Sequence, residues 1–251
     1  MLKNYVDIIL PVYNSKNFII STLESVVSQS YRYWKLIIID DKSSDGTSIL
    51  LKNFYKNSKF KSRILILRNK KNKGQGYSRN IGLKHSKSEF VAFIDSDDLW
   101  MKKKLEKQIQ FMKDLNYSFT YTDYKISQNN KNKIIYAPTS YNYDQFVLNT
   151  SICTSTMIIR NQIINIYFPP KIRLCEDYFF KCKLLKKINA YKFPGVFTKY
   201  LVRNNSLQSS RIKVLLAVWN INRNLNKMSI VKNLISILFI SINSLIKYGT
   251  R

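Results

Sequence analysis

Four runs of consecutive apolar residues punctuate the first hundred positions: "VDIILPVYN", "WKLIIIDD", "SRILILRN" and "EFVAFIDSDD". Short unbroken apolar runs, each ended by polar or turn residues, predict strands buried on both faces. Between them the spacing changes to that of a helix. In "SKNFIISTLESVVSQ" the apolar side comprises Phe18, Ile19, Leu23, Val26 and Val27. "DGTSILLKNFYK" predicts a helix after a turn at Gly46, and "GQGYSRNIGLKHS" opens on glycines and continues as a helix. Repeated β-α units of this kind predict an α/β fold, a mostly parallel sheet flanked by helices.

The pattern loosens in the second half. "LWMKKKLEKQIQFMKDLN" predicts a helix from Leu99, and "YSFTYTDYKI" and "KNKIIYAP" predict a hairpin around the polar turn "SQNNKN". "CTSTMIIR" reads as a short strand, and "EDYFFKCKLLKKI" as a helix opened by two acids, which suits the positive end of a helix dipole. "YKFPGVFTKYLVRNNSLQSS" predicts a strand pair or a strand and loop, and the tail from about Ile212 is helical. No apolar run reaches the roughly 18 residues of a membrane span, so no transmembrane helix is expected. The nearest approach, "IVKNLISILFISINSLIKYG", is interrupted by Lys232, Asn233, Ser236, Ser241 and Asn243. It is either an amphipathic helix lying on a membrane or a helix packed on the domain's own core. A strand-like run begins after only four residues, so no signal peptide is expected.

Composition narrows the function classes. With 251 residues, 45% of them hydrophobic, the chain can build a substantial core. Its 42 Lys and Arg against 15 Asp and Glu give a net charge of +27, which favours anionic partners: nucleic acid, an anionic membrane surface or phosphorylated substrates. The basic residues are spread along the chain, however, and clustered acids repel nucleic-acid phosphates, so no nucleic-acid partner is expected. Cys153, Cys175 and Cys182 have no metal-ligand spacing and cannot all pair, which points to a reducing compartment. His85 is the only histidine and reads as a surface or packing residue. Lys102 to Lys104 read as a solvated helix face or as a contact for anionic lipid or a carrier diphosphate.

The scarce acids are not scattered. Eight of the fifteen fall in three clusters: Asp40, Asp41 and Asp45; Asp95, Asp97 and Asp98; Glu176 and Asp177. The first two clusters follow predicted strands, and parallel sheets bind ligands beyond the carboxyl ends of their strands. Like charges in one site raise each other's pKa unless a cation sits among them. "DSD" at a strand end can share a hard divalent cation. The same acids can instead cap the helix predicted from Leu99, with Asp98 as its N-cap. Glu176 and Asp177 likewise admit a catalytic role or simple stabilisation of a helix start.

"ILPVYN", "IIIDDKSSDGT", "NKGQGYSRNIGL", "VAFIDSDDLWMKKKLEKQ" and "CEDYFF", in this order, resemble the family 2 glycosyltransferases of the GT-A, nucleotide-diphospho-sugar transferase fold. The tail, with "YLVRNNSLQSS", "VWNINR" and "IKYG", is similar to members that build bacterial surface polysaccharide, teichuronic acid or lipooligosaccharide. The resemblance implies a nucleotide-sugar (donor) half over 1–115, an acceptor and catalytic-base half over 116–211 and a helical tail over 212–251. It implies a UDP-sugar donor, bound at its nucleotide by Pro11, Tyr13 and Asp41, with Asp40 as a further partner and Arg79 on nucleotide or phosphate. Asp97, with Asp95, would hold Mn2+ or Mg2+ against the diphosphate, and Asp95 would also contact the donor ribose. Asp177 would be the general base and Glu176 its neighbour that orients base or acceptor. One displacement then inverts the anomeric centre. The acceptor implied is a glycan or lipid-linked glycan, met at the inner face of the cytoplasmic membrane with a peripheral membrane contact. Where related enzymes carry a histidine, this chain has Arg203, Asn204 and Asn205. It has no Gln-x-x-Arg-Trp and no group of spans, so a single transfer per encounter is expected. Transfer to a polyprenyl phosphate, a non-catalytic basic nucleic-acid-binding protein and a non-catalytic binding module on the same fold are the alternatives. Donor sugar, linkage and oligomeric state stay open.

Overall fold

Strand β1 (Leu2–Val12) sets the architecture. Its alternation sends Val6, Ile8 and Leu10 into one buried cluster and Ile9 into another on the opposite face of the sheet. A computed structural model of the chain describes residues 1–128, 131–202 and 210–249. The other strands are β2 (Trp34–Asp40), β3 (Ile64–Arg68), β4 (Ser88–Phe93), β5 (Leu99–Trp100), β6 (Phe119–Gln128), β7 (Lys131–Ile135), β8 (Ser140–Tyr141), β9 (Ile158–Arg160) and β10 (Ala190–Leu201). The helices are α1 (Ile19–Val27), α2 (Thr47–Asn57), α3 (Gln75–His85), α4 (Lys104–Asp114), the short α5 (Tyr143–Phe146), α6 (Glu176–Leu185), α7 (Arg211–Asn220) and α8 (Ile230–Tyr248).

The strands form one sheet in the order β3-β2-β1-β4-β9-β6-β10-β5, with β7 added to β6 and β8 to β10. The first four are parallel, Ile8 standing opposite Leu36 on one side and Ala92 on the other. Strand β9 runs antiparallel to both β4 and β6, so it joins the regular half to a mixed half in which β10 is parallel to β6. One face packs on α1, α2 and α4 through Leu23, Val26, Leu51, Leu105 and Ile109. The other packs on α3, α6, α7 and α8 through Leu83, Phe180, Leu184, Val218 and Ile240. Burying each large apolar side chain in these layers contributes about 1.5–3 kcal/mol. Gly82 of α3 is there because the helix lies so close to β1: a Cβ at this position would come within 2.5 Å of Ile9 Cγ2.

Several sequence expectations need correction. The predicted helix does not begin at Leu99. Leu99 and Trp100 pair with Lys199 and Thr198 as an edge strand, and α4 starts at Lys104 after Lys103. Tertiary pairing prevails because Trp100 Nε1 donates to Ser155 O (2.8 Å) and Asp98 Oδ1 accepts from Leu201 N (3.2 Å). Asp98 is therefore not a helix cap, and Trp100 is core. Lys104 is not on a solvated face either: it is fully buried, its amine donates to Gln108 Oε1 (2.8 Å) above the Trp100 ring, and burial pulls its pKa down to about 7. The segment from Tyr191 is a single strand with a register shift between Phe193 and Val196, where Pro194 offers no N–H to the ladder. His85 is exposed, as expected.

The tail differs most. By length and composition alone, Ile230–Lys247 is apolar enough to cross a membrane. Two of the polar residues that interrupt it lie on its inner stripe, beside the buried Ile240. Asn233 and Ser236 are fully buried and accept from Asn222 Nδ2 at 3.0 and 3.2 Å, and Ser236 Oγ donates to Val147 O at 2.6 Å. The helix therefore packs on the domain through polar contacts, and Val231, Leu234, Leu238, Phe239 and Ile246 face outward.

Candidate active site

The carboxyl ends of β1, β2 and β4 open into a chamber of about 400 Å³. Pro11 and Tyr13 line it from the end of β1, Asp41 from the end of β2, Arg79 from α3, Asp95 and Asp97 from the turn after β4, and Glu176 and Asp177 from the start of α6. This brings together every singled-out residue except Asp40. That carboxylate is buried away from the chamber and accepts from Ser43 N (2.9 Å) and Ser48 Oγ (2.6 Å) while pairing with Arg68 Nε (3.1 Å). Asp41 accepts from Asn69 Nδ2 (2.7 Å) and from the backbone N–H groups of Lys73 (2.9 Å) and Gly74 (2.7 Å), so it anchors the loop that leads into α3.

Arg79 is 2% exposed and bridges two carboxylates, with Nη2 2.6 Å from Asp95 Oδ1 and Nη1 2.8 Å from Glu176 Oε1. Burial opposes its charge, but the two acids outweigh burial and strengthen it. Glu176 reaches this position because residue 76 is glycine: a Cβ there would lie 2.8 Å from Glu176 Cγ. Burial pushes Glu176 up to about 7 against the pull of Arg79. Cys175, just before it, holds φ 62°, a left-handed conformation that costs a non-glycine residue roughly 1–2 kcal/mol and turns the chain into α6.

Three acids coexist after β4 because each meets a different environment. Asp95 is paired with Arg79. Asp98 is fully buried, and burial, then Asp97 and Asp95, push it well above the ordinary carboxylate range. Asp97 lines the chamber. Among the described residues no three His, Cys, Asp or Glu gather as a ligand set. The donor set still fits a hard divalent cation, because such ions take few carboxylates and complete their shell with water and substrate phosphate oxygens.

Asp177 stands where this chamber meets a second one of about 190 Å³; Asp95, Thr154, Cys175 and Tyr200 line both as well. Thr154 Oγ1 donates to Asp177 Oδ2 at 3.0 Å, and Lys181 Nζ lies 2.7 Å from the same oxygen. Burial works to raise the Asp177 pKa, but Lys181, then Arg79, outweigh it and hold the carboxyl well below its usual range. A carboxylate ionised at neutral pH, on the boundary of two chambers, can accept a proton from a hydroxyl group positioned there.

The family model described as Glycosyl transferase family 2 matches residues 7–168. The chain belongs to this family. It is 36% identical over 235 residues to a Bacillus subtilis protein named as a teichuronic acid biosynthesis glycosyltransferase, TuaG, spanning 92% of each chain. It is 34% identical over 220 residues, 86% of this chain and 84% of the other, to the Escherichia coli UDP-Glc:alpha-D-GlcNAc-diphosphoundecaprenol beta-1,3-glucosyltransferase WfgD. Among solved structures, S. aureus TarS in complex with UDP-GlcNAc superimposes with TM-score 0.76 at 20% identity, covering 96% of this chain and 75% of that one. The mannosyltransferase PcManGT from Pyrobaculum calidifontis in complex with GDP-Man and Mn2+ does so with TM-score 0.70 at 14% identity, covering 98% and 76%. These two likenesses establish the GT-A fold. The protein is thus a family 2 glycosyltransferase.

Some residues of this glycosyltransferase's site escape motif reading. Arg173 lines the first chamber and donates to Asn72 Oδ1 and Asn72 O, both at 3.0 Å. Lys181 was detectable, four residues after Asp177 in "EDYFFK" and so on the same helix face. Lys247 lines the second chamber from α8, some seventy positions later, and no local signal marks it. Arg203, Asn204 and Asn205 lie outside the described residues.

Proposed function

We propose that the protein transfers one sugar, with inversion, from a UDP-sugar to a hydroxyl group of a lipid-linked glycan in a divalent-metal-dependent reaction. The observation that carries this reading is the place of Asp177 on the boundary of the two chambers. The donor lies in the first chamber, its base against Tyr13 and the Asp41 loop, its diphosphate near Arg173 and Asp97. The acceptor enters the second chamber with a hydroxyl group at Asp177. As that oxygen attacks the anomeric carbon from the face opposite UDP, its proton passes to Asp177, the bond to the diphosphate breaks, and UDP leaves with the electron pair. Asp97, with Asp95 beside it, would hold Mn2+ or Mg2+, which when bound supplies positive charge to the departing diphosphate. Arg79 fixes Asp95 and Glu176 and thereby the wall between donor and base.

The acceptor class is supported by the printed activity of the E. coli relative, which names a diphosphoundecaprenol-linked acceptor. A polyprenyl phosphate acceptor is already ionised and needs no base, so the position of Asp177 favours a hydroxyl group. The outward apolar face of α8, with Ile212 and Leu216 of α7, is 44–72% exposed and is the surface we place against the cytoplasmic leaflet. The exposed Lys213 and Lys227 would meet its anionic head groups.

The test is a thermal-shift series with UDP, GDP, CDP, ADP and dTDP, each with and without Mn2+, on wild type and Asp97→Asn. A ligand specific to the folded state raises its apparent stability. UDP with Mn2+ should stabilise the wild type selectively, and the variant should lose the metal-dependent part. No shift with any nucleotide would sink the donor assignment.

A further inference from the structure

The second chamber carries a cation that the transfer chemistry does not use. Its walls are apolar at Phe146, Val214, Val218 and Ile240, and among the described residues its only acids, Asp95 and Asp177, are those shared with the first chamber. Of its two lysines, Lys181 is paired with Asp177. Lys247, from the last turn of α8, has no carboxylate partner among the described residues; its amine donates to Asn149 Oδ1 at 3.2 Å. Burial pulls its pKa down to about 8. A half-buried ammonium without a counter-charge is unfavourable, and an anion placed against it removes that cost. The helix end that carries it is fixed in place, because Lys133 Nζ donates to Ile246 O at 2.7 Å.

Resting on the functional reading above, we infer that Lys247 binds the diphosphate of a lipid-diphosphate-linked acceptor, and that α8 thereby selects acceptors still attached to their carrier. The order of groups along the chamber supports this. Asp177 marks the end where a sugar hydroxyl must lie, and Lys247 lines only the second chamber. An acceptor sugar placed between them presents its own anomeric substituent to α8. A diphosphate there matches the ammonium; a neutral aglycone leaves it unmatched. The same helix turns Leu238, Ile242, Leu245 and Ile246 outward, so a hydrocarbon chain leaving the diphosphate on that side meets apolar surface. Substrate selection and membrane contact then reside on one helix.

The probe is farnesyl diphosphate, titrated calorimetrically into the full-length protein with UDP and Mn2+ present in excess. Wild type should bind it, Lys247→Gln should bind it roughly tenfold to a hundredfold more weakly, as expected for loss of a hydrogen bond to a charged group, and Lys247→Arg should restore most of the affinity. Farnesol should not bind, and inorganic pyrophosphate should bind more weakly than the prenyl form. Unchanged affinity in Lys247→Gln, or binding that falls instead with Asp97→Asn, overturns the assignment. Equal affinity for pyrophosphate and farnesyl diphosphate overturns its lipid part. UDP titrated alone reads the donor site separately: Lys247-dependent binding of farnesyl diphosphate without UDP binding would break the donor reading and keep this one. Thermal unfolding of both Lys247 variants shows that each is folded.

Discussion

The first chamber takes most of its lining from the ends of consecutive β-α units, and its acids are held by backbone N–H groups at Asp41 and by Arg79 between Asp95 and Glu176. The second chamber draws on segments spread from Asp95 to Lys247, has largely apolar walls and, among the described residues, holds one lysine without an acid. In the first, Asp41, Asp95 and Glu176 are held in place by their donors before any ligand arrives. The second becomes balanced only when an anion enters. On the proposed function, donor recognition and acceptor selection fall to different parts of the chain, and Asp177 is where the two chambers meet.

The largest expected effect comes from removing that meeting point. Asp177→Asn should lower kcat by roughly 10²–10⁴, the range for a lost general base, while UDP-induced stabilisation persists; full activity would break the division between the chambers. Next is Arg79→Met, which strands Asp95 and Glu176 without their cation. Breaking a buried pair costs about 3–5 kcal/mol, so urea unfolding should show a loss of that order. A third test sharpens the role of Lys181. Because Asp177 is held below the usual carboxylate range, the acidic limb of the pH–rate profile should lie at low pH. Removing Lys181 leaves burial less opposed, so in Lys181→Met this limb should move upward; a limb that stays in place would separate Lys181 from the base. The smallest effect on stability is expected at the outward face of α8. Leu234→Ser and Leu238→Ser change exposed positions and should shift stability by no more than about 0.5 kcal/mol, yet weaken sedimentation with vesicles containing anionic lipid. A large stability loss would mean that this face packs on protein.

The parallel half of the sheet was legible because buried parallel strands read as continuous apolar runs, and their ends announced themselves through Asp41, Asp95 and Asp97. Glu176 and Asp177 were legible from a helix start. What failed was local. "LWMKKK" has helical composition, but Leu99 and Trp100 have strand partners on β10 about a hundred residues away. Lys104 reads as surface because its neighbours are lysines, and only the packing of Trp100 and Gln108 places it inside. In α8 the polar residues looked like interruptions, yet Asn233 and Ser236 are the residues that pack, because Asn222 and Val147 O offer them partners.

The sequence by itself determined the β-α alternation, the concentration of acids at strand ends and the family resemblance, since each depends on residues close together in the chain. Tertiary structure alone decided which acid meets which cation, that Asp98 is buried and accepts from Leu201 N rather than capping a helix, and that Lys247 shares a chamber with Asp177. The physical reason is that a carboxylate's charge state and an ammonium's need for a partner depend on distances and burial across the sheet, and those are set only when remote segments pack.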